Sequence, residues 1–479
     1  MTEIESDIKK TGMPKAIPYI IGNEAAERFS FYGIRSIMST FLVAQFFNPL
    51  NNPMMQGVAE ARANELAHLF ATLAYFMPLV GGIMADWFFG KYKVILYVSI
   101  LYAIGNLTVA LSTHNISMFI TGLIVIAVAA GGIKSCVSAN VGDQFDKSNE
   151  HLMSKMYGWF YFTIQAGGML ASIFIPVVYN KYGPEWAFGI PGVLMCLATF
   201  VFWFGRKKYV RVPPSGVKKE NYVNITAYAI KQAFSNRNGL SVWDAVAGKY
   251  SAKAIDGARA VNRILMIFAF TPIYWALWDQ NLSEWVLQAD KMDRSFFGFE
   301  LLAGQVQTFN QVFLIALIPV FTYFVYPFLE KIGLNPTPLR KIGAGLFLTG
   351  ITFIIIALVQ QNLDNGGKPT IWWQVLAYLV LAASEVLVSI TCLEYAYTHS
   401  PKSMKSTMSA LYLLGISIGN YFDSLVNKSI ANNGFFAQYT GAKYYWLFIG
   451  ILTAFFILYL FVAKRLPEKS YVGVEDTPA

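Results

Sequence analysis

The chain has 479 residues, of which 55% are hydrophobic and only 14% charged, whereas a soluble domain averages about 25% charged residues. That composition excludes a water-soluble globular protein and fits about a dozen membrane spans of roughly 20 to 25 residues. Cys136, Cys196 and Cys392 all lie in apolar stretches, so neither a disulfide framework nor a thiolate metal site is expected.

In chain order, a mixed-charge tail over 1–17 runs directly into the first apolar segment. That segment is too long for the core of a cleavable signal and is expected to stay in the mature protein. Long, weakly charged runs predict twelve spans, centred near Ile34, Leu73, Tyr102, Val128, Met169, Val193, Ala269, Ala316, Thr352, Leu387, Ile416 and Phe456. These are predicted helices, because tilted barrel strands would be about half as long. With the N-terminus in the cytoplasm, 26 of the 37 Lys and Arg fall on the cytoplasmic side, 7 outside and 4 within spans. The positive-inside rule then predicts that both termini are cytoplasmic. The net charge of +9 is on this reading a topology signal, and nucleic acid is not an expected partner.

Between the sixth and seventh spans, residues 206–262 form a basic, polar linker with a predicted surface helix around 222–234. It separates six spans over 18–205 from six over 263–465, with a second tail at 466–479. The expected fold class is an all-α membrane protein, and two six-helix halves with a site between them near the midplane are the usual plan of the major facilitator type, although twelve spans also fit other transporters. A faint internal echo agrees: GGIMADWFFGKYK follows the second span and YPFLEKIGLNPTPLRK the eighth.

A charge at a helix centre costs roughly 2.5 to 3.5 kcal/mol on insertion scales, so intramembrane charges mark candidate functional residues. Glu24, Glu27, Arg28 and Arg35 lie along one stripe of the first span. Lys134 stands alone in the fourth, after glycines that allow close approach, and its natural partner is a first-span carboxylate. Arg263 opens the seventh span. Glu385 and Glu394 share the tenth, nine residues apart and half a turn out of phase, so they cannot both point into one pocket. His68 and Tyr75 share a face of the second span, and a histidine there can change charge near neutral pH. For each residue a structural role competes: a buried ion pair for the first-span charges, a satisfied core histidine for His68, a packing role for Glu385. Asp86 and Asp143 lie at span ends, where salt bridges between loops are expected.

EAAERFSFYG at 24–33 resembles the ExxER motif of the proton-dependent oligopeptide transporter family. The resemblance extends through GGIMADWFFGKYK at 81–93, GGIKSCVSANVGDQF at 131–145, FYFTIQAGGML at 160–170, PIYWALWDQ at 272–280 and CLEYAYTHSPKSMKS at 392–406, in the family's order. HLFATLAYFMPLVGGIMAD, including His68, is similar to the mammalian intestinal peptide transporters, although the short QQNLDNGGKPTI connection leaves no room for their large extracellular domain.

The resemblance implies proton-coupled import of di- and tripeptides across the cell (inner) membrane by a functional monomer, with the proton as coupling ion and no other cofactor. It implies that Arg28, Arg35 and Lys134 surround the peptide carboxylate, that Glu394 receives the amino terminus with Asn310 assisting, and that Tyr32, Tyr75, Trp275 and Trp278 form adaptable walls. Glu24 or Glu27, with Arg28 and Lys134, would couple the proton, and His68 and Arg263 are further candidates. Gln165 and Gly168 replace the family's usual Asn and Ser of the fifth span. Thr322 stands where some relatives have an aspartate that pairs with the residue at Arg263, so that bridge is expected to be missing or remade. A transporter of nitrate-like anions or of another small metabolite with the same fold stays open as the alternative. Four histidines dispersed over the chain offer no catalytic constellation for an enzyme.

Overall fold

The computed structural model describes residues 12–48, 56–214, 216, 220–235, 243, 246–400 and 405–465. The tails at 1–11 and 466–479 and parts of the linker lie outside the described residues. The first half contains α1 (Ile17–Gln45), α2 (Gln56–Met84), α3 (Lys91–Leu111), α4 (Ile116–Gly142), α5 (Met153–Tyr182) and α6 (Pro184–Phe204). The linker forms α7 (Tyr222–Ser235). The second half contains α8 (Ala252–Phe268), α9 (Thr271–Asp279), α10 (Glu284–Asp290), α11 (Thr308–Val320), α12 (Tyr326–Lys331), α13 (Pro338–Asp364), α14 (Trp372–Glu385), α15 (Thr391–His399), α16 (Lys405–Ala431) and α17 (Ala442–Ala463). A two-stranded hairpin, β1 (Ser295–Phe296) with β2 (Phe299–Glu300), joins α10 to α11.

Nine helical segments among the described residues are long and apolar enough to cross a membrane, and the bent run from α8 through α10 makes a tenth. Helices α1 and α16 have the length, 29 and 27 residues, but each carries ionisable side chains within it. In α1 these are the charges that the sequence marks as functional candidates, and in α16 they include Asp423, which it does not mark. The expected centre at Ala269 falls at the break between α8 and α9, where the run bends by 45° and Pro272 interrupts the ladder by lacking an N–H. Helix α8 also starts inside the expected linker, because the Ser251 side chain accepts from the Ala254 N–H and caps it. Wide π-type turns occur at Ala85–Phe89, Phe321–Val325 and Val386–Ile390.

Two large apolar cores form, one from α1 to α6 and one from α7 to α17 with Ala61 added, and Leu314, Ala382 and Val386 make a small third cluster in the second half. Tyr32 and Tyr75 pack against both, which puts these two rings on the seam between the halves. The α2 and α4 backbones meet closely at Gly131, where an added Cβ would lie 2.1 Å from the Met77 Cβ. The glycines before Lys134 thus serve helix packing.

We call the end of the bundle where α1 starts the basic end, after its Lys and Arg excess, and the other the far end. Bonds between the halves cluster from the middle to the far end. Ser417 Oγ donates to the Thr72 carbonyl at 2.8 Å, Lys291 pairs with Glu60 at 2.6 Å, and Arg62 donates to Asn432 at 3.1 Å. An added Cβ at Gly304 would lie 2.2 Å from the Ser36 carbonyl oxygen. The far end is therefore the closed end.

Candidate functional site between the halves

The α1 stripe forms as its spacing predicts. Arg28 Nε lies 2.7 Å from Glu24 Oε1 and 3.1 Å from Glu27 Oε2, with Arg28 only 12% exposed. One guanidinium thus serves two carboxylates. Lys134 does not join them: among the described residues no carboxylate oxygen lies within ion-pair distance of it. Its Nζ sits 3.6 Å over the Phe31 ring and 4.3 Å over the Tyr75 ring, and it has no hydrogen-bond partner. The expected pairing of Lys134 with a first-span carboxylate is corrected accordingly. Arg28 on the same helix reaches both carboxylates first, while Glu27 and Glu24 act on Lys134 only at longer range. A desolvated ammonium on aromatic faces is held by about 2 kcal/mol, yet all three of its donors lack acceptors.

Across the seam, α9 presents Trp275 and Trp278 with ring centroids 5.2 Å apart, and Trp275 stands 6.0 Å from Tyr412. Glu385 Oε2 accepts from Trp278 Nε1 at 3.0 Å and from Asn310 Nδ2 at 3.0 Å. Tyr32, on the seam between the halves, lies within electrostatic reach of both Arg28 and Glu385. Gly168 makes its position available, since a Cβ there would lie 2.8 Å from the Tyr32 ring. Gln165 donates to the Tyr161 hydroxyl at 2.9 Å, and Tyr161 is within reach of Glu385 and Tyr32.

The expectation for Glu394 is corrected. Its side chain is 49% exposed, and its Oε2 lies 3.6 Å from Lys341 of α13. It is not beside Asn310 or Trp278. The nine-residue separation turns it away from Glu385, and the carboxylate that meets Asn310 is the one that the sequence reading left to packing. The wide turn Val386–Ile390 begins directly after Glu385, and such turns recur at functional sites.

Toward the far end a third cluster crosses the seam. Arg35 Nη1 donates to Asp279 Oδ1 at 2.5 Å with both side chains buried. Asn420 Nδ2 donates to Asp279 Oδ2 at 2.7 Å, while Asn420 Oδ1 lies 2.9 Å from His68 Nδ1. His68 Nε2 lies 3.0 Å from Glu284 Oε2 and 3.0 Å from Ser283 Oγ, and Asp423 Oδ2 is 3.6 Å from Nδ1. Arg35, expected beside the peptide carboxylate, is thus committed to Asp279. Arg263 on α8 forms no ion pair with the described residues, and Thr322 donates to the Ile318 carbonyl of its own helix at 2.8 Å. The bond between halves is remade between Arg35 and Asp279. Asp279, Glu284 and Asp423 were missed by sequence reasoning, although each is a charge inside a span and answers the criterion that selected Lys134.

A profile described as PTR2, POT family, matches residues 92–447. Among curated proteins the chain is 36% identical over 380 residues to peptide transporter 3 of Caenorhabditis elegans, covering 74% of this chain and 52% of that one. It is 33% identical over 384 residues to solute carrier family 15 member 1 of Oryctolagus cuniculus, covering 74% and 53%. The chain spans about half the length of these relatives. Among solved structures, an auto inhibited POT family peptide transporter superposes with a TM-score of 0.89 at 33% identity, covering 96% of this chain and 98% of that one. The POT family transporter PepTSo gives 0.86 at 35%, covering 95% and 98%.

Proposed function

The chain belongs to the POT family of transporters, and from that premise we propose that it imports di- and tripeptides together with protons by alternating access. On this reading it is a twelve-span monomer of the cell (inner) membrane with both termini cytoplasmic, and the proton is its only coupling ion, with no other cofactor.

One observation carries the reading: the seam holds a partly buried cationic pole and a buried anionic pole, with aromatic rings around them. Arg28 and Lys134 form the first, Glu385 with Trp278 and Asn310 the second. A short peptide is a zwitterion with fixed ends and variable side chains, so a promiscuous site should grip both ends and leave the middle adaptable. The unsatisfied ammonium of Lys134 would donate charge-assisted hydrogen bonds to the peptide carboxylate. Glu385 would accept from the amino terminus, with the unpartnered Asn310 Oδ1 beside it. Tyr32, Tyr75, Tyr161, Trp275 and Trp278 would wall the intervening space.

Coupling follows from competition for Arg28. While both Glu24 and Glu27 are ionised, they occupy its guanidinium; a proton on either frees part of it for a carboxylate ligand. Closure of the far end supports a state open toward the basic end, the cytoplasmic side by the positive-inside rule. Alternating access then requires only that peptide and proton bind the two states with different affinity.

The test is uptake of labelled Ala-Ala into proteoliposomes under an inward proton gradient. Concentrative uptake that a tripeptide competes and a protonophore abolishes is expected. If nitrate competes and tripeptides do not, the anion reading replaces this one; a simple anion has no use for Glu385.

A further inference from the structure

Glu284 has no task in holding a peptide, yet it is buried with both oxygens engaged. On its inner side, Oε2 lies 3.0 Å from His68 Nε2 and in short contact with Ser283 Oγ. On its outer side, Oε1 accepts from Asn427 Nδ2 and from the Tyr444 hydroxyl, each at 3.0 Å, while lying 3.2 Å from His68 Nε2. Glu284, Asn427 and Tyr444 also line a far-end cavity of about 70 Å³ that includes Glu60 and Lys291, the ion pair between the halves. A water needs only about 10 to 15 Å³ of such space, so several fit. The carboxylate therefore has one face toward a polar cavity and the other on an imidazole.

The surrounding charges do not balance. Asp279, Glu284 and Asp423 are buried against one fixed cation, Arg35, and His68 is the other group of the cluster that can become cationic. Asp423 Oδ2 and Gln280 Oε1 have no hydrogen-bond partner. The remaining facing groups are Tyr444 and Tyr445 of α17, with Asp364 acting on Tyr445, and Glu60 and Lys291 at the cavity. A net buried negative charge is costly, so protons complete the cluster.

We propose that Glu284 is the far-end proton acceptor of this transporter and hands its proton to His68, whose change of charge Asn420 relays to Asp279 of the Arg35 pair. This rests on the proton-symport reading. Hydronium in the cavity gives up its proton as an O–H bond forms on Glu284; that bond then breaks as N–H forms at His68 Nε2, and the carboxylate is restored. Arg35 and Asp279 would then separate when the proton arrives, linking far-end opening to loading.

The experiment compares Glu284→Gln with the unaltered chain in proteoliposomes, varying only the external pH. The amide keeps the size of the side chain and an acceptor for Asn427 and Tyr444, but it cannot ionise. In the unaltered chain Ala-Ala uptake should rise with external acidity by up to about tenfold per pH unit, the limit for one bound proton. In Glu284→Gln that dependence should flatten while peptide counterflow at symmetric pH stays within about twofold, and Glu284→Asp should restore a slope. A slope kept in Glu284→Gln overturns the proposal and leaves the symport reading intact. Loss of counterflow in both variants assigns Glu284 a structural role and overturns it too. Absence of gradient-driven uptake in the unaltered chain instead overturns the symport reading on which the proposal rests.

Discussion

Replacing Asp279 by Asn should open the far end. Arg35 and Asp279 are both buried and lie 2.5 Å apart across the seam, and the second carboxylate oxygen accepts from Asn420 at 2.7 Å. An amide supplies only one acceptor oxygen. Serving Arg35 with it turns the NH2 toward the Asn420 donor, and the guanidinium charge is left uncompensated in either orientation. Breaking a buried pair by removing one partner costs about 3 to 5 kcal/mol. In the opened state water solvates Arg35, so the cost falls mainly on the closed state. At 1.4 kcal/mol per tenfold, the equilibrium shifts by about a hundredfold or more toward opening. Spin labels at Leu111 and Phe435, which are 78% and 81% exposed on different halves at the far end, report it in a cysteine-free background. The unaltered chain should show one short distance, and Asp279→Asn a dominant longer one. Arg35→Met with Asp279→Leu should restore the short distance, since an apolar pair can replace a buried ion pair without loss. An unchanged distance distribution in Asp279→Asn would refute the assignment of this pair as the far-end lock.

Glu385→Gln should raise KM for Ala-Ala by about tenfold or more, since hydrogen bonds to a charged group are worth about 1.5 to 3 kcal/mol, while leaving competition by N-acetylated Ala-Ala unchanged. Glu394→Gln should keep uptake within about twofold, because a half-exposed ion pair contributes about 0 to 1 kcal/mol; a tenfold loss would reinstate Glu394 at the site. Lys134→Met should abolish uptake without lowering Tm, because relief of the desolvated, hydrogen-bond-free ammonium offsets its lost contact with the Phe31 and Tyr75 rings, and a fall in Tm would make it structural. Gly304→Val should match Asp279→Asn in the spin-label assay, since its Cβ would meet the Ser36 carbonyl oxygen at 2.2 Å.

Span positions were legible because apolar length is a one-dimensional signal: the predicted centres fall within α-helices except Leu387, in the wide turn between α14 and α15, and Ala269, at the break before Pro272. The α1 stripe was equally legible, since one helix fixes its own phase and Arg28 meets Glu24 across a single turn. Partners on different helices were not. Whether Lys134 reaches Glu27 or a ring depends on the rotation of α4, which its close packing against α2 at Gly131 limits. For Glu385 and Glu394 the sequence supplied the half-turn separation but not which carboxylate faces inward; that choice follows from how α14 packs against α11. Asp279 and Asp423 meet the same criterion of an ionisable group inside a span, but their partners Arg35 and His68 lie on other helices.

The charge count at the α1 and α4 cluster constrains coupling more tightly than any single contact. Glu24 and Glu27 balance Arg28 and Lys134, so the cluster is neutral without ligand. A peptide carboxylate bound beside Lys134 adds one negative charge to a site from which water is largely excluded, at a cost of several kcal/mol. One proton on either glutamate cancels it. On the proposed reading, peptide and proton would then bind more tightly together than apart, and the coupling would be reciprocal. On the same reading the amino terminus changes nothing in this count, because its charge would be met separately by Glu385. An N-terminally blocked peptide should therefore bind more weakly yet keep the same proton requirement, whereas a ligand without a carboxylate should lose it.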